Sequence, residues 1–423
     1  MIDLIRDAQK SKVFTSPGWK LAVNWVPLIL VIGYVCLNLF TLRHQRDFSQ
    51  DYFASLSYLR GSSIYSHEVV KLGNEYNQRG ILNAHPPSLI LFFIPLAALG
   101  SYAEAFIIFT LLSLYIFVIV LRQVSNNAGL SHETSNLFLI CALIWPTAIQ
   151  GSYQGNISFL IASIVILIWQ NIHNGRSIRA GIMLGIITTW KFFPGLVIFY
   201  FLLKKQYKAV LGWLLCIVVL FACSLVVFGF DSWQTYVNSV APRISNQFMG
   251  HYANVSIWAY IMPWFSLQEY QIIPIINLPQ LGHFITMIVI LLMLLASFHA
   301  TQIDDDSTSI NHAYWLWTLS SVLISPVSWQ YSLTFLVIPL LFLLKDSFDK
   351  NQNYLFTILF SISIGLLLAN YDAYSILIKN YPATKVNNFT IYTSYLINTR
   401  VQPTSTLALF GVMWFTSLNK RTL

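Results

Sequence analysis

Long apolar runs separated by short polar joints constrain this chain more than any single motif. A run that crosses a bilayer needs about 20 apolar residues, and fewer when flanking side chains snorkel. Such runs fall near 23–41, 86–100, 102–122, 134–150, 156–172, 180–203, 209–229, 281–300, 312–327, 331–345, 353–370 and 404–418. Only 9% of the 423 residues are charged, whereas a soluble domain carries roughly a quarter. The expectation is an all-α polytopic membrane protein of about twelve transmembrane helices, built as one integral domain over residues 1–423.

Charge placement sets the expected topology. The net charge of +8 is gathered partly in short clusters at segment ends, Lys204, Lys205 and Lys208 in one and Lys420 and Arg421 in another. Such clusters mark cytoplasmic ends rather than nucleic-acid patches. Arg6, Lys10, Lys12 and Lys20 precede the first run, which predicts a cytoplasmic N-terminus. An even span count then returns the C-terminus to the cytoplasm and leaves 42–85 extracytoplasmic, with 371–403 as a further outer loop. Val23–Phe40 lacks a small-residue cleavage site and reads as a retained anchor in the plasma (inner) membrane. Cys36, Cys141, Cys216 and Cys223 lie in apolar runs without C-x-x-C spacing, so neither a disulfide framework nor a zinc site is expected.

Against this background the acids after the first run stand out. In "RDFSQDYFASLSYL" Asp47 and Asp51 lie one helical turn apart, beside a stripe of Phe48, Tyr52, Ser55 and Leu59. The spacing predicts an amphipathic helix in the outer interface with its carboxylates turned from lipid. Asp47 also begins an Asp-x-x-Gln capping box, and Asp51 reads equally as a solvated or arginine-paired acid. Two carboxylates without further ligands make a poor divalent site, so no metal is expected.

Five other polar breaks interrupt or separate the apolar runs. His85 precedes Pro86 and Pro87, a pair suited to opening a helix. "GSYQGNIS" puts Gln154 and Asn156 where unpaired amides are costly. Lys191 lies inside the run 180–203, three residues before Pro194. A charge there costs several kcal/mol unless paired or hydrated, and a cation beside a broken helix suits an anion site. The stretch 242–260 presents Arg243, His251, Asn254 and Ser256 on a long outer loop, and "SPVSWQY" adds Trp329 and Tyr331. An interfacial aromatic belt accounts for Trp329 equally well. Phosphate-loop, dinucleotide-binding, zinc-protease and serine-hydrolase signatures are missing from the sequence.

Taken in order, these segments resemble glycosyltransferase family 87, whose members are multi-span C-type enzymes using polyprenyl-phosphate sugars. The resemblance rests on "RDFSQDYFASLSYLRGSSIY", "HPPSLILFFIPLAAL", "GSYQGNISFLIA", "RAGIMLGIITTWKFFPGLVIFYFLLKK", "NVS" and "SPVSW". It implies the C-type fold, with amphipathic helices in outer loops, and inverting transfer of a sugar, mannose above all, to a glycolipid or glycan hydroxyl. It implies that Asp47 is the general base, while Asp51 stands where many members have an aromatic. Lys191 with Arg243 or His251 would form the phosphate shell. Many relatives carry a histidine after "SPxSW" and usually Tyr-Pro-Pro in the second motif; this chain has Gln330, Tyr331, Ser332 and His85-Pro86-Pro87. Tyr331 or His85 are the candidate replacements. The expected partners are membrane lipid, the lipid-linked donor and the acceptor, with no cofactor and no nucleic acid. A polymerase or ligase of lipid-linked saccharides and a lipid or sugar transporter are the alternative functions.

Overall fold

The computed structural model describes residues 17–40, 46–127, 130–251, 253–266, 274, 276–303, 311–340, 384–386, 389–391 and 406–414. Their regular structure is helical, apart from 3-10 and π turns, an isolated bridge between Asn254 and Trp329 and one small antiparallel hairpin. The hairpin pairs β1 (Thr384–Val386) with β2 (Phe389–Ile391), a small exception to the all-α expectation. It lies in the expected outer loop 371–403, whose other residues, like the run 353–370, are outside the described set.

Helices follow the apolar runs closely. In order they are α1 (Pro17–Phe40), α2 (Arg46–Leu59), α3 (Glu68–Glu75), α4 (Pro87–Ala98), α5 (Tyr102–Asn127), α6 (His132–Leu143), α7 (Pro146–Tyr153), α8 (Ser158–His173) and α9 (Ser177–Trp190). Then come α10 (Ile198–Leu203), α11 (Tyr207–Thr235), α12 (Ala241–Phe248), α13 (Ile257–Phe265), α14 (Pro279–Ile303) and α15 (His312–Ile324). A further helix covers 406–414. Among the described residues three helical stretches are long and apolar enough to cross a membrane: α5, Tyr207–Phe248 and α14. A fourth span results if α6 and α7, bent by 57°, form one broken segment. The other apolar stretches are shorter, 10–17 residues each, among them Asn24–Asn38 within α1. Exposed Leu211, Leu214, Val218 and Val226 on α11, with Phe284, Leu291 and Leu295 on α14, give these helices apolar outer faces suited to lipid.

Two expectations are corrected. The stretch 242–260, expected on a long outer loop, is helical in part, because α11 continues to Thr235, a π turn (Tyr236–Val240) leads into α12, and α13 starts at Ile257. Gly229 bends α11 at φ 77° and ψ 165°, so the purely apolar part ends there although the helix resumes. The helix α2 is not an amphipathic helix with open carboxylates. Phe48, Tyr52, Phe53 and Ala54 are all buried, and so is Asp51. Phe48 alone meets five rings, those of Tyr52, Phe93, Tyr102, Phe106 and Phe109. The helix is therefore held inside protein by an aromatic core, and only Leu59 of the predicted stripe is exposed.

The chain packs as two compact units. The first comprises residues 1–195, 206–242 and 331–338; the second comprises 196–205, 243–330 and 339–423. Within the first unit, α9 lies against α11 at backbone contact distance. A Cβ on Gly181 would stand 1.9 Å from the Ala209 carbonyl oxygen, and one on Gly212 would stand 2.6 Å from that of Ile178. Gly181 and Gly185 follow small-xxx-small spacing, which permits close helix approach where no hydrophobic force separates helix from lipid.

Candidate active site

The first unit gathers the acids of α2 with three of the predicted polar breaks. Asp47 stands in the first turn of α2, and its backbone N–H donates to the Gln154 carbonyl at 3.1 Å. This tie is possible because α7 ends at Gln154 and Gly155 turns the chain at φ 64°. A side chain on Gly155 would also strike Phe48 Cβ at 2.7 Å, so glycine is required there by conformation and by space. Beyond the turn, buried Asn156 aims its Nδ2 at Asp47 Oδ2 and donates at 2.5 Å. Tyr331, from the 3-10 turn Gln330–Leu336, donates its hydroxyl to the same oxygen at 2.7 Å.

Two directed donors thus hold one oxygen of Asp47, while Oδ1 has no hydrogen-bond partner among the described residues. The residue is partly exposed. A fixed carboxylate with one free oxygen can accept a proton from an incoming hydroxyl. The capping-box expectation is corrected: the Gln50 amide lies against His85 Nδ1 at 3.3 Å, not back along α2.

Lys191 ends α9 in extended conformation, φ −145° and ψ 120°, before the 3-10 turn Phe193–Val197. The broken run 180–203 is therefore observed where the sequence placed it. Lys191 Nζ lies 5.5 Å from the centre of the Tyr331 ring, and it is electrostatically coupled to both Asp47 and Asp51.

Asp51 differs from Asp47 in every respect that matters chemically. It is 1% exposed, and its Oδ1 lies 2.7 Å from His85 Nδ1, close enough for the pair to share one proton. Burial pushes the Asp51 carboxyl above the usual carboxylate range; His85 offsets part of this, and Asp47 adds to it. The expected solvated or arginine-paired acid is thus corrected to a buried acid paired with histidine. Pro86, extended at φ −68° and ψ 156°, starts α4 and leaves His85 in the turn before it. Tyr65, unmarked in the sequence, donates its hydroxyl to the His85 carbonyl at 2.8 Å. Burial raises the Tyr65 phenol and keeps it a neutral donor. A tyrosine 20 residues from its partner, in a polar loop, gives no periodic signal.

The remaining candidates belong to the second unit. Asn254 is buried; its Nδ2 donates to the carbonyls of Phe248, Met249 and Pro326, and its Oδ1 accepts from the N–H of Ser256 and Ser328. Ser256 caps α13, accepting from the Ala259 N–H and donating to the Pro326 carbonyl. Their polar atoms are engaged by backbone groups, so the two residues bracket the turn at 325–328. The His251 ring packs edge-on against Trp329 at 5.0 Å, and its Nδ1 accepts from the Ala253 N–H. Arg243 lies on α12, not on a loop, and is exposed.

The described residues define a helical membrane protein whose first unit holds a partly open carboxylate fixed by directed donors, next to a cation at a helix break. The sequence model of glycosyltransferase family 87 matches residues 83–326, more than half of the chain, and the chain belongs to that family. The match begins after α2, so Asp47 and Asp51 precede it and Tyr331 follows it. No curated protein and no solved structure matches the chain.

Proposed function

We propose that this membrane glycosyltransferase moves a sugar, mannose in the first instance, from a polyprenyl-phosphate donor to an acceptor hydroxyl on the extracytoplasmic face. The observation that carries the reading is the Asp47 carboxylate, with one oxygen fixed by Asn156 and Tyr331 and the other without a hydrogen-bond partner among the described residues. The acceptor hydroxyl attacks the anomeric carbon, its proton passes to Asp47, and the bond from that carbon to the phosphate oxygen breaks. Attack opposite the departing group inverts the centre. Lys191 balances the charge left on the lipid phosphate, as preorganised cations do for developing anions. The phosphate is already an adequate leaving group, so the scheme calls for no cofactor.

Buried Asp51 and partly exposed His85 act as a pair that fixes the loop between α2 and α4. The hydroxyl of Tyr331 is engaged by Asp47. With about twelve spans, both termini are cytoplasmic and the segment 42–85 faces outward. The whole chain then serves as one integral domain.

The test is transfer by purified protein given polyprenyl-phosphate-mannose and a panel of glycolipid acceptors, repeated with Asp47→Asn. The expected result is product from the wild type and a loss of about 10²–10⁴-fold in the variant. Full transfer by Asp47→Asn sinks the base assignment. Consumption of a pyrophosphate-linked oligosaccharide in place of the lipid-phosphate sugar favours the polymerase or ligase reading.

A further inference from the structure

The first unit contains a cavity of about 350 Å³ between the end of α2 and the bend of α11, lined by Tyr58, Gly61, Ser62, Ser63, Ile64, Phe228, Asp231, Ser232 and Thr235. Its size falls within the range of small-molecule sites, roughly 300–1,000 Å³. Two left-handed glycines shape it. Gly61 at φ 80° turns the chain out of α2, and Gly229 at φ 77° breaks α11 just before Asp231. A Cβ on either would meet nothing within 4 Å, so backbone conformation, not crowding, accounts for glycine at both places. The Tyr58 and Phe228 rings close one wall, edge to face at 4.9 Å.

The chemistry of the lining is specific. The Asp231 carboxylate is exposed and has no hydrogen bond or ion pair among the described residues. Tyr58, Ser62, Ser63, Ser232 and Thr235 line the same cavity, and among the described residues no lysine or arginine does. A lone carboxylate repels a phosphate or other anionic headgroup but accepts well from neutral hydroxyls. Serine and threonine hydroxyls both donate and accept, and aromatic edges pack against C–H faces. This set suits a neutral polyol.

The cavity also adjoins the candidate active site. Next to Ile64 and Thr235 in the chain, Tyr65 and Tyr236 stack with centroids 6.3 Å apart. Tyr65 bonds the His85 carbonyl, and Tyr236 meets Phe192, the neighbour of Lys191, at 5.9 Å. One aromatic row therefore joins the cavity rim to the neighbour of the cation and to His85, the partner of buried Asp51.

We infer that this cavity holds the saccharide part of the acceptor, a neutral polyhydroxylated sugar, and that Asp231 is its specificity-determining residue. The inference deepens the transferase reading and rests on it for the word acceptor. Lys191 then serves the anionic donor and Asp231 the neutral acceptor, so the two substrates are sorted by charge across the Tyr65–Tyr236 pair.

The test separates binding from transfer. Saturation-transfer NMR on the full-length protein in nanodiscs uses maltotriose as the neutral probe and glucose 6-phosphate as the anionic one. Maltotriose should take up saturation from the wild type and from Asp47→Asn, and about tenfold less from Asp231→Ala and Asp231→Asn. The phosphorylated sugar should show little. Equal maltotriose signals in wild type and both Asp231 variants overturn the inference, as does a preference for the anionic probe. In the transfer assay Asp231→Asn should raise the acceptor KM about tenfold and leave the donor KM unchanged; a raised donor KM also overturns it. If the polyprenyl-phosphate reading alone is wrong, transfer is absent in all proteins while the NMR contrast persists.

Discussion

Asp47 and Asn254 stand at the centres of two polar clusters, one in each compact unit. Around Asp47, two donors converge on one carboxylate oxygen and the other has no hydrogen-bond partner among the described residues. Around Asn254, both ends of the amide are engaged, two N–H groups reaching its oxygen and three carbonyls its nitrogen. Both lie in segments that single themselves out in the sequence as polar breaks between apolar runs. A polar residue in such a setting must be satisfied, so its presence alone says little about chemistry. The discriminating feature is unspent bonding capacity on an accessible atom, which Asp47 has and Asn254 lacks.

The comparison predicts opposite phenotypes. Asp47→Asn should lose about 10²–10⁴-fold in transfer rate with little change in melting temperature, read by thermal unfolding in detergent. Asn254→Ala should do the reverse. It strips partners from the Ser256 and Ser328 N–H groups, and each buried unsatisfied group costs about 1–3 kcal/mol. The expected outcome is a melting temperature lowered by several degrees, with the rate per folded molecule retained. An Asn254→Ala protein that melts like the wild type but fails in transfer would erase the distinction.

Tyr331→Phe probes the open cluster more finely. It removes one hydrogen bond to a charged group, a contribution of about 1.5–3 kcal/mol, and keeps the ring beneath Lys191. Steady-state kinetics should show kcat reduced about tenfold or more and acceptor KM little altered. An unchanged kcat would mean that Asn156 alone orients the carboxylate.

Backbone breaks were the legible part of this molecule. Pro86 and Pro87 at the start of α4, Gly155 between α7 and α8, and Lys191 at the end of α9 all lie where the sequence puts them. Each is set by local chemistry: proline lacks an N–H, glycine tolerates positive φ, and Pro194 follows Lys191 closely. Pairings across the chain were not legible. Asp51 meets His85 over 34 positions and Asp47 meets Tyr331 over 284, distances that no local period reports. The burial of α2 escaped for a related reason, since its second face is covered by neighbouring helices rather than by lipid or water. The helical course of 230–248 was hidden because Asp231, Gln234, Asn238 and Arg243 interrupt the apolar pattern.

The smallest predicted effect concerns Asp51, and it sharpens the contrast between the two acids of α2. Burial raises the Asp51 carboxyl in the folded protein, while in the unfolded chain it titrates near the ordinary value of about 3.9. The folded state then holds more protons between these two values, so stability falls as pH rises through that window. The favourable contribution is fully present below the unfolded value and is lost once pH passes the raised folded value. Each pH unit within the window removes about 1.4 kcal/mol, part of which other titrating groups obscure. The difference between wild type and Asp51→Asn cancels those groups. As pH is raised from the acid end of the window, the variant should gain stability relative to the wild type and then hold a constant lead. Melting temperatures measured in parallel across acid to neutral pH read this directly. A difference independent of pH would mean that Asp51 is ionised as readily inside the fold as outside it, and that His85 fully offsets its burial.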